Sequence, residues 1–184
     1  RFSTTAPVVA VDPNRDCPGC ISVIAANHAG AVSAMEYLIG LGHTRIGFIT
    51  GRPYLLSGEQ RLAGYRAASA QAGLPADPDL IATGDFTRAS GYACAKQLLV
   101  LAQPPTAIFA ANDQAAFGAI DAAHDLERRV PDDLSIIGFD NIPEATYSNP
   151  PLTTIDQFID RMGYAATELL VRLIRGQPSA ESVC

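Results

Sequence analysis

The 184 residues carry 13 Lys and Arg against 19 Asp and Glu, a formal charge of −6, and 48% of the side chains are apolar. So acidic a chain lacks the basic face of a nucleic-acid-binding surface, and no apolar run in it approaches a membrane span. The apolar content is enough for a proper core in one good-sized domain or two small lobes.

The first residues, RFSTTAPVVAVD, show no basic, apolar and small-residue zones of a signal peptide. The chain opens at Arg1, and these residues read as the end of a loop before a strand, so its true start is expected upstream. Pro7 to Val11 is an apolar strand ended by Asp12 and Pro13. A loop then carries Cys17 and Cys20 as CPGC. A redox pair wants its first Cys at a helix N-terminus, and a zinc site needs two further ligands that the sequence does not supply at useful spacing. The motif therefore reads as a Pro-Gly turn that carries thiols.

Ile21 to Ala26 is the next strand, and Asn27 opens a helix to about Leu41 with Val32, Met35, Leu38 and Ile39 as its stripe. Arg45 to Thr50 is a strand whose end leads through Gly51 to Tyr54 into a helix from about Ser57 to Ala72. Arg61 falls near the start of that helix, where the dipole disfavours a cation, so a carboxylate or ligand partner is expected. Asp140 and Glu59 are the structural alternatives. Leu80 to Thr83 is a strand ended by Gly84, Asp85 and Phe86, with Thr87 or Ser90 as cap of the helix beyond. Cys94, one turn before Leu98, reads as a core residue.

The stretch from Pro105 to Asn141 organises the rest. Ala107 to Ala110 is a strand buried on both faces. Asn112 and Asp113 end it and can cap a helix striped by Phe117, Ile120, Ala123 and Leu126; Asp113 reads as an N-cap rather than a ligand contact. Leu134 to Phe139 is a second such strand, followed directly by Asp140. After an irregular segment come a last strand, Leu152 to Ile155, and a helix from about Asp160 to Arg175. His28, His43 and His124 lack partners at catalytic or metal-binding spacing and read as surface or capping residues.

Strands alternating with helices specify a parallel sheet covered on both faces. Asp85 with Phe86, Asn112 with Asp113, and Asp140 with Asn141 then stand at strand carboxyl ends, where open α/β sheets bind ligands. Arg61 comes from the same side. No GxGxxG, GxxxxGK[ST] or GxSxG occurs, and no His or Cys pairs with a base, so an enzyme is not expected.

At these residues the sequence resembles the effector-binding domain of the lactose-repressor (LacI/GalR) family. The segments NHAGAVSAMEYLIGLGHTRIGFITG, RLAGYRAA, GDFTRASGYA, PTAIFAANDQAAFGA and VPDDLSIIGFDN, then PPLTTIDQ, follow the family pattern in order, from about Pro7 to Gly176. The resemblance implies a two-lobed α/β fold like that of type I periplasmic-binding proteins. Residues 28–150 would form a nearly complete C-terminal lobe. Residues 1–27 would be a remnant of the N-terminal lobe, and 151–184 would return to it. It implies a cytoplasmic, homodimeric repressor that senses a small molecule, a sugar by family habit, and grips operator DNA through a helix-turn-helix missing from this chain. It implies no cofactor, metal or membrane. A periplasmic sugar-binding protein is the alternative, though LGHTRIGFITG and VPDDLSIIGFDN look more like repressors.

By the same resemblance Arg61 would hydrogen-bond ligand oxygens through its fork of donors, and Asp140 would accept from ligand hydroxyl or N–H groups. Phe86 would stack on a sugar or base face. Asn112 and Gln157 would add polar contacts, and Tyr54 and Ser57 would tune specificity. Many members read Asp-Asn where this chain has Ala26-Asn27, so one hydroxyl contact is replaced or absent. Removing Arg61 or Asp140 is expected to abolish the response with little loss of stability.

Overall fold

The computed structural model describes residues 6–14 and 21–177, so Cys17 and Cys20 lie outside the described residues. The chain divides into two compact units, one of 1–26 with 158–184 and one of Asn27–Gln157.

In the first unit β1 (Val9–Val11) pairs in parallel with β2 (Ile21–Val23), with Val9 opposite Ile21. Helix α6 (Ile159–Ile174) lays Ala166 and Leu169 on these strands, joined by the half-buried Met162 and Ala165. Burial takes the middle of the helix, and Ile174 stays 66% exposed.

The larger unit is a doubly wound sheet of five parallel strands: β3 (Ile46–Ile49), β4 (Ile81–Ala82), β5 (Ala107–Ala110), β6 (Ser135–Asp140) and β7 (Thr153–Asp156). Their order is β4-β3-β5-β6-β7. The strand period of two sorts the side chains between faces. Phe48, Phe109, Ile137 and Phe139 meet α1 (Asn27–Gly40) and α2 (Leu56–Gln71). Ile49, Ile108, Ala110 and Ile136 meet α3 (Arg88–Leu99) and α4 (Asp113–Asp125). A short helix α5 (Glu144–Tyr147) interrupts the segment read from sequence as irregular.

Thr153–Asp156 departs from the sequence-based boundary. It extends the large sheet, with Ile137 opposite Thr153 and Asp140 opposite Asp156, so the larger unit runs to Gln157 rather than ending at residue 150. The ladder on β6 satisfies its backbone groups, and nothing local in LTTID specifies which sheet supplies it.

Other details settle open choices. Thr87 caps α3 by accepting from the Ser90 amide, and Asn112 caps α4 by accepting from the Ala115 amide. Asp113 is therefore the first helical residue and not the cap. His28 and His124 are exposed, but His43 is half-buried. Its Nδ1 and Nε2 each lie 2.9 Å from a hydroxyl oxygen, of Thr106 and of Ser135, which ties together the entries of β5 and β6. Burial holds its pKa below the ordinary imidazole value.

The α3–α4 contact is made close by Gly118. A Cβ there would stand 2.1 Å from the Arg88 carbonyl oxygen and 2.5 Å from the Tyr92 nitrogen, both backbone atoms that cannot rotate aside. Gly118→Ala should therefore forgo the usual helix-propensity gain and destabilise the protein by about 1–3 kcal/mol, as overpacking does. A lower denaturant midpoint at unchanged slope is the expected result; a stabilised variant would show that the helices do not approach so closely.

Candidate functional site

The chain leaves β3 toward β4 on one side and returns to β5 on the other, so the strand order switches between β3 and β5. In such sheets the carboxyl ends at the switch form the binding crevice. Arg61 is delivered there by α2. Its helix buries Gly58, Arg61, Gly64, Tyr65 and Ala68, so Arg61 occupies the core-facing stripe in the second turn of the helix. It is only 3% exposed.

A buried guanidinium requires partners for its donors. Nε donates to Asn27 Oδ1 at 2.9 Å, and Nη1 donates to the Ala111 carbonyl at 2.5 Å, just past β5. Nη1 also lies 3.3 Å from Asp140 Oδ1. The guanidinium carbon sits 3.8 Å from the centre of the Phe139 ring and 5.9 Å from that of Phe86, within reach of cation–π attraction.

Asp140 ends β6 at φ 124° and is followed by Asn141 at φ 57°. Its Oδ1 also accepts from Gln157 Nε2. Burial pushes the carboxyl up to about 6, and the neighbouring Asp113 carboxylate pushes the same way; the Arg61 charge and the Gln157 hydrogen bond act against them. Asp113 itself is completely buried and raised by that burial, against hydrogen bonds from Thr154 and from backbone amides around Ile142.

Phe86 is half-buried at φ 71°. Asn112 uses both ends of its amide on the protein: Nδ2 donates to the Phe86 carbonyl at 3.0 Å and Oδ1 caps α4. It thus orients the Phe86 turn. The rim therefore brings together Arg61, Asp140, Gln157 and Phe86, with Asn112 behind them. Tyr54 is 81% exposed on its loop, and Ser57 is half-buried in the first turn of α2. Sequence reading missed Asn27 as the acceptor for Arg61, Phe139 as its platform and Asp113 as a buried anchor. The stripe spacing of Arg61 with Tyr65 and Ala68 was the available signal that it faces inward.

Open surface crevices occur elsewhere, one of about 680 Å³ beside His124, Arg129 and Pro150, and one of about 340 Å³ beside Phe117 and Tyr147. They lack the buried, convergent donors and acceptors of the rim. Among the described residues no group of three His, Cys, Asp or Glu side chains is placed to hold a metal ion. No helix among them is long and apolar enough to cross a membrane.

Comparison with known proteins places this geometry in a context. Residues 35–183 match the family model described as periplasmic binding protein-like domain. The HTH-type transcriptional repressor CytR of Escherichia coli strain K12 is 44% identical over 151 residues, 82% of this chain and 44% of that protein. A regulatory protein of the LacI family from Chloroflexus aggregans is 37% identical with a TM-score of 0.86, over 96% of this chain and 64% of that one. The transcriptional regulator CelR in complex with cellobiose is 31% identical with a TM-score of 0.86, over 97% and 62%. The chain spans about half the length of the curated relatives it matches.

Proposed function

The chain belongs to the lactose-repressor (LacI/GalR) family through its periplasmic-binding-protein-like domain, and from that premise we propose that it is the effector-sensing part of a DNA-binding transcription repressor. The effector is a small, hydroxyl-rich molecule of the sugar class, held at the carboxyl ends of β3, β5 and β6. One observation carries this reading: a buried Arg61 and the Asp140 carboxylate meet at the switch point of the sheet. Together they offer donors and an acceptor to a hydroxyl, and Phe86 offers a face to a ring. The cellobiose-bound relative supports the sugar class.

Operator DNA is contacted by a helix-turn-helix outside these residues, which accords with a chain of charge −6. The repressor acts as a homodimer in the cytoplasm, since symmetric half-sites require two recognition helices. The repressors among its relatives favour this reading over a periplasmic sugar-binding protein.

Thermal shift of the intact protein against D-ribose, D-galactose, cellobiose, cytidine and adenine tests the proposal. A ligand at about a hundredfold its dissociation constant should stabilise by about 2.7 kcal/mol. Asp140→Ala should weaken that ligand by at least about tenfold, as loss of a charged hydrogen bond does. An undiminished shift in Asp140→Ala would put the binding site elsewhere.

A further inference from the structure

Asp113 has no part in the contacts assigned to the effector, yet its carboxylate is fully buried beside them. With Asn112 taking the cap of α4, the Asp113 side chain is released to the turn after β6. Its Oδ2 accepts from the Ile142 amide at 2.9 Å. Its Oδ1 accepts from the Thr154 hydroxyl at 2.5 Å, and the Thr154 oxygen in turn lies 3.3 Å from the Asn141 amide that donates to it. One carboxylate therefore ties the turn carrying Asp140 to the adjacent strand β7. Gly138 makes the room: a Cβ there would stand 2.3 Å from Asp113 Oδ1.

The turn needs such an anchor. Asp140 and Asn141 are consecutive non-glycine residues at positive φ, a conformation that persists only where the surroundings hold it.

We propose that Asp113 is a positioning residue of the effector site, clamping the turn from Asp140 to Ile142 onto β7. This rests on the reading of the Arg61–Asp140 rim as the effector site.

The test uses NMR on the intact protein without effector. In Asp113→Ala exchange of the Ile142 amide should accelerate at least about tenfold, because the carboxylate that accepts from it is gone. In Thr154→Val, exchange of the Ile142 amide should accelerate at least about tenfold as local opening becomes easier, and Thr154→Ser should restore it. Wild-type exchange of the Ile142 amide in Asp113→Ala or in Thr154→Val overturns the clamp. If Asp113→Ala does not fold, the Thr154 pair decides alone. These readouts need no effector, so they separate from the effector reading, which Asp140→Ala tests in the thermal-shift panel.

Discussion

Arg61→Ala should destabilise the protein by about 3–5 kcal/mol, the range for breaking a buried ion pair from one side, as well as abolish the effector response. The substitution removes one guanidinium and leaves Asn27 Oδ1, the Ala111 carbonyl and the Asp140 carboxylate short of a donor, all at a rim closed by Phe139. Unsatisfied buried acceptors retain their desolvation penalty, and the stacking on Phe139 is lost as well. For a chain of this size the melting temperature should fall by roughly 10 °C. This revises the expectation, drawn from sequence, that Arg61 could be removed with little loss of stability. That expectation treated the residue as a ligand contact alone, whereas the fold makes it part of the core. Arg61→Lys should recover only a fraction, because an ammonium cannot reproduce the planar fork. Chemical denaturation measures the effect directly, and a fully stable Arg61→Ala protein would mean that the guanidinium is not the hub of these contacts.

The second large effect is a dependence on pH set by Asp140. Its carboxyl is pushed up to about 6 in the folded protein, chiefly by burial, against about 4 in an unfolded chain. Between those values the folded state holds more protons than the unfolded one. Stability from this group therefore falls as pH rises from about 4 to about 6 and is flat above, a loss of about 2–3 kcal/mol. Asp113, raised in the same direction, adds to that slope. Asp77, Asp85 and Asp133 are held low by hydrogen bonds and slope the opposite way. The clean measurement is accordingly the stability difference between wild type and Asp140→Asn across pH 4 to 8. It should shift against the wild type as pH rises through 6 and then level. A constant difference would place Asp140 in the ordinary carboxylate range. Effector affinity should run the other way, weakening below pH 6 as the ionised acceptor is lost, which titration calorimetry at pH 5 and 7.5 would show.

Local pattern alone determined much of this protein. Apolar runs such as AIFA and IIGF, short and bounded by turn residues, read as strands buried on both faces, and the helical stripes between them make the sheet parallel and doubly covered. That in turn placed Asp140, Asn112 and Phe86 on one rim before any contact was known, and the order of the motifs carried the family. Tertiary structure decided what those side chains do there. Arg61 meets Asn27, 34 residues away, and Asp140, 79 residues away. Asp113 meets Thr154 across 41 residues. Each is a pairing of two polar groups that burial forces to find one another. A sequence shows the donors and acceptors singly, without the register that joins them. For the same reason LTTID was legible as a strand but not as the fifth strand of the larger sheet: its neighbour is chosen by a backbone ladder to β6, and backbone hydrogen bonds leave no mark on side-chain pattern.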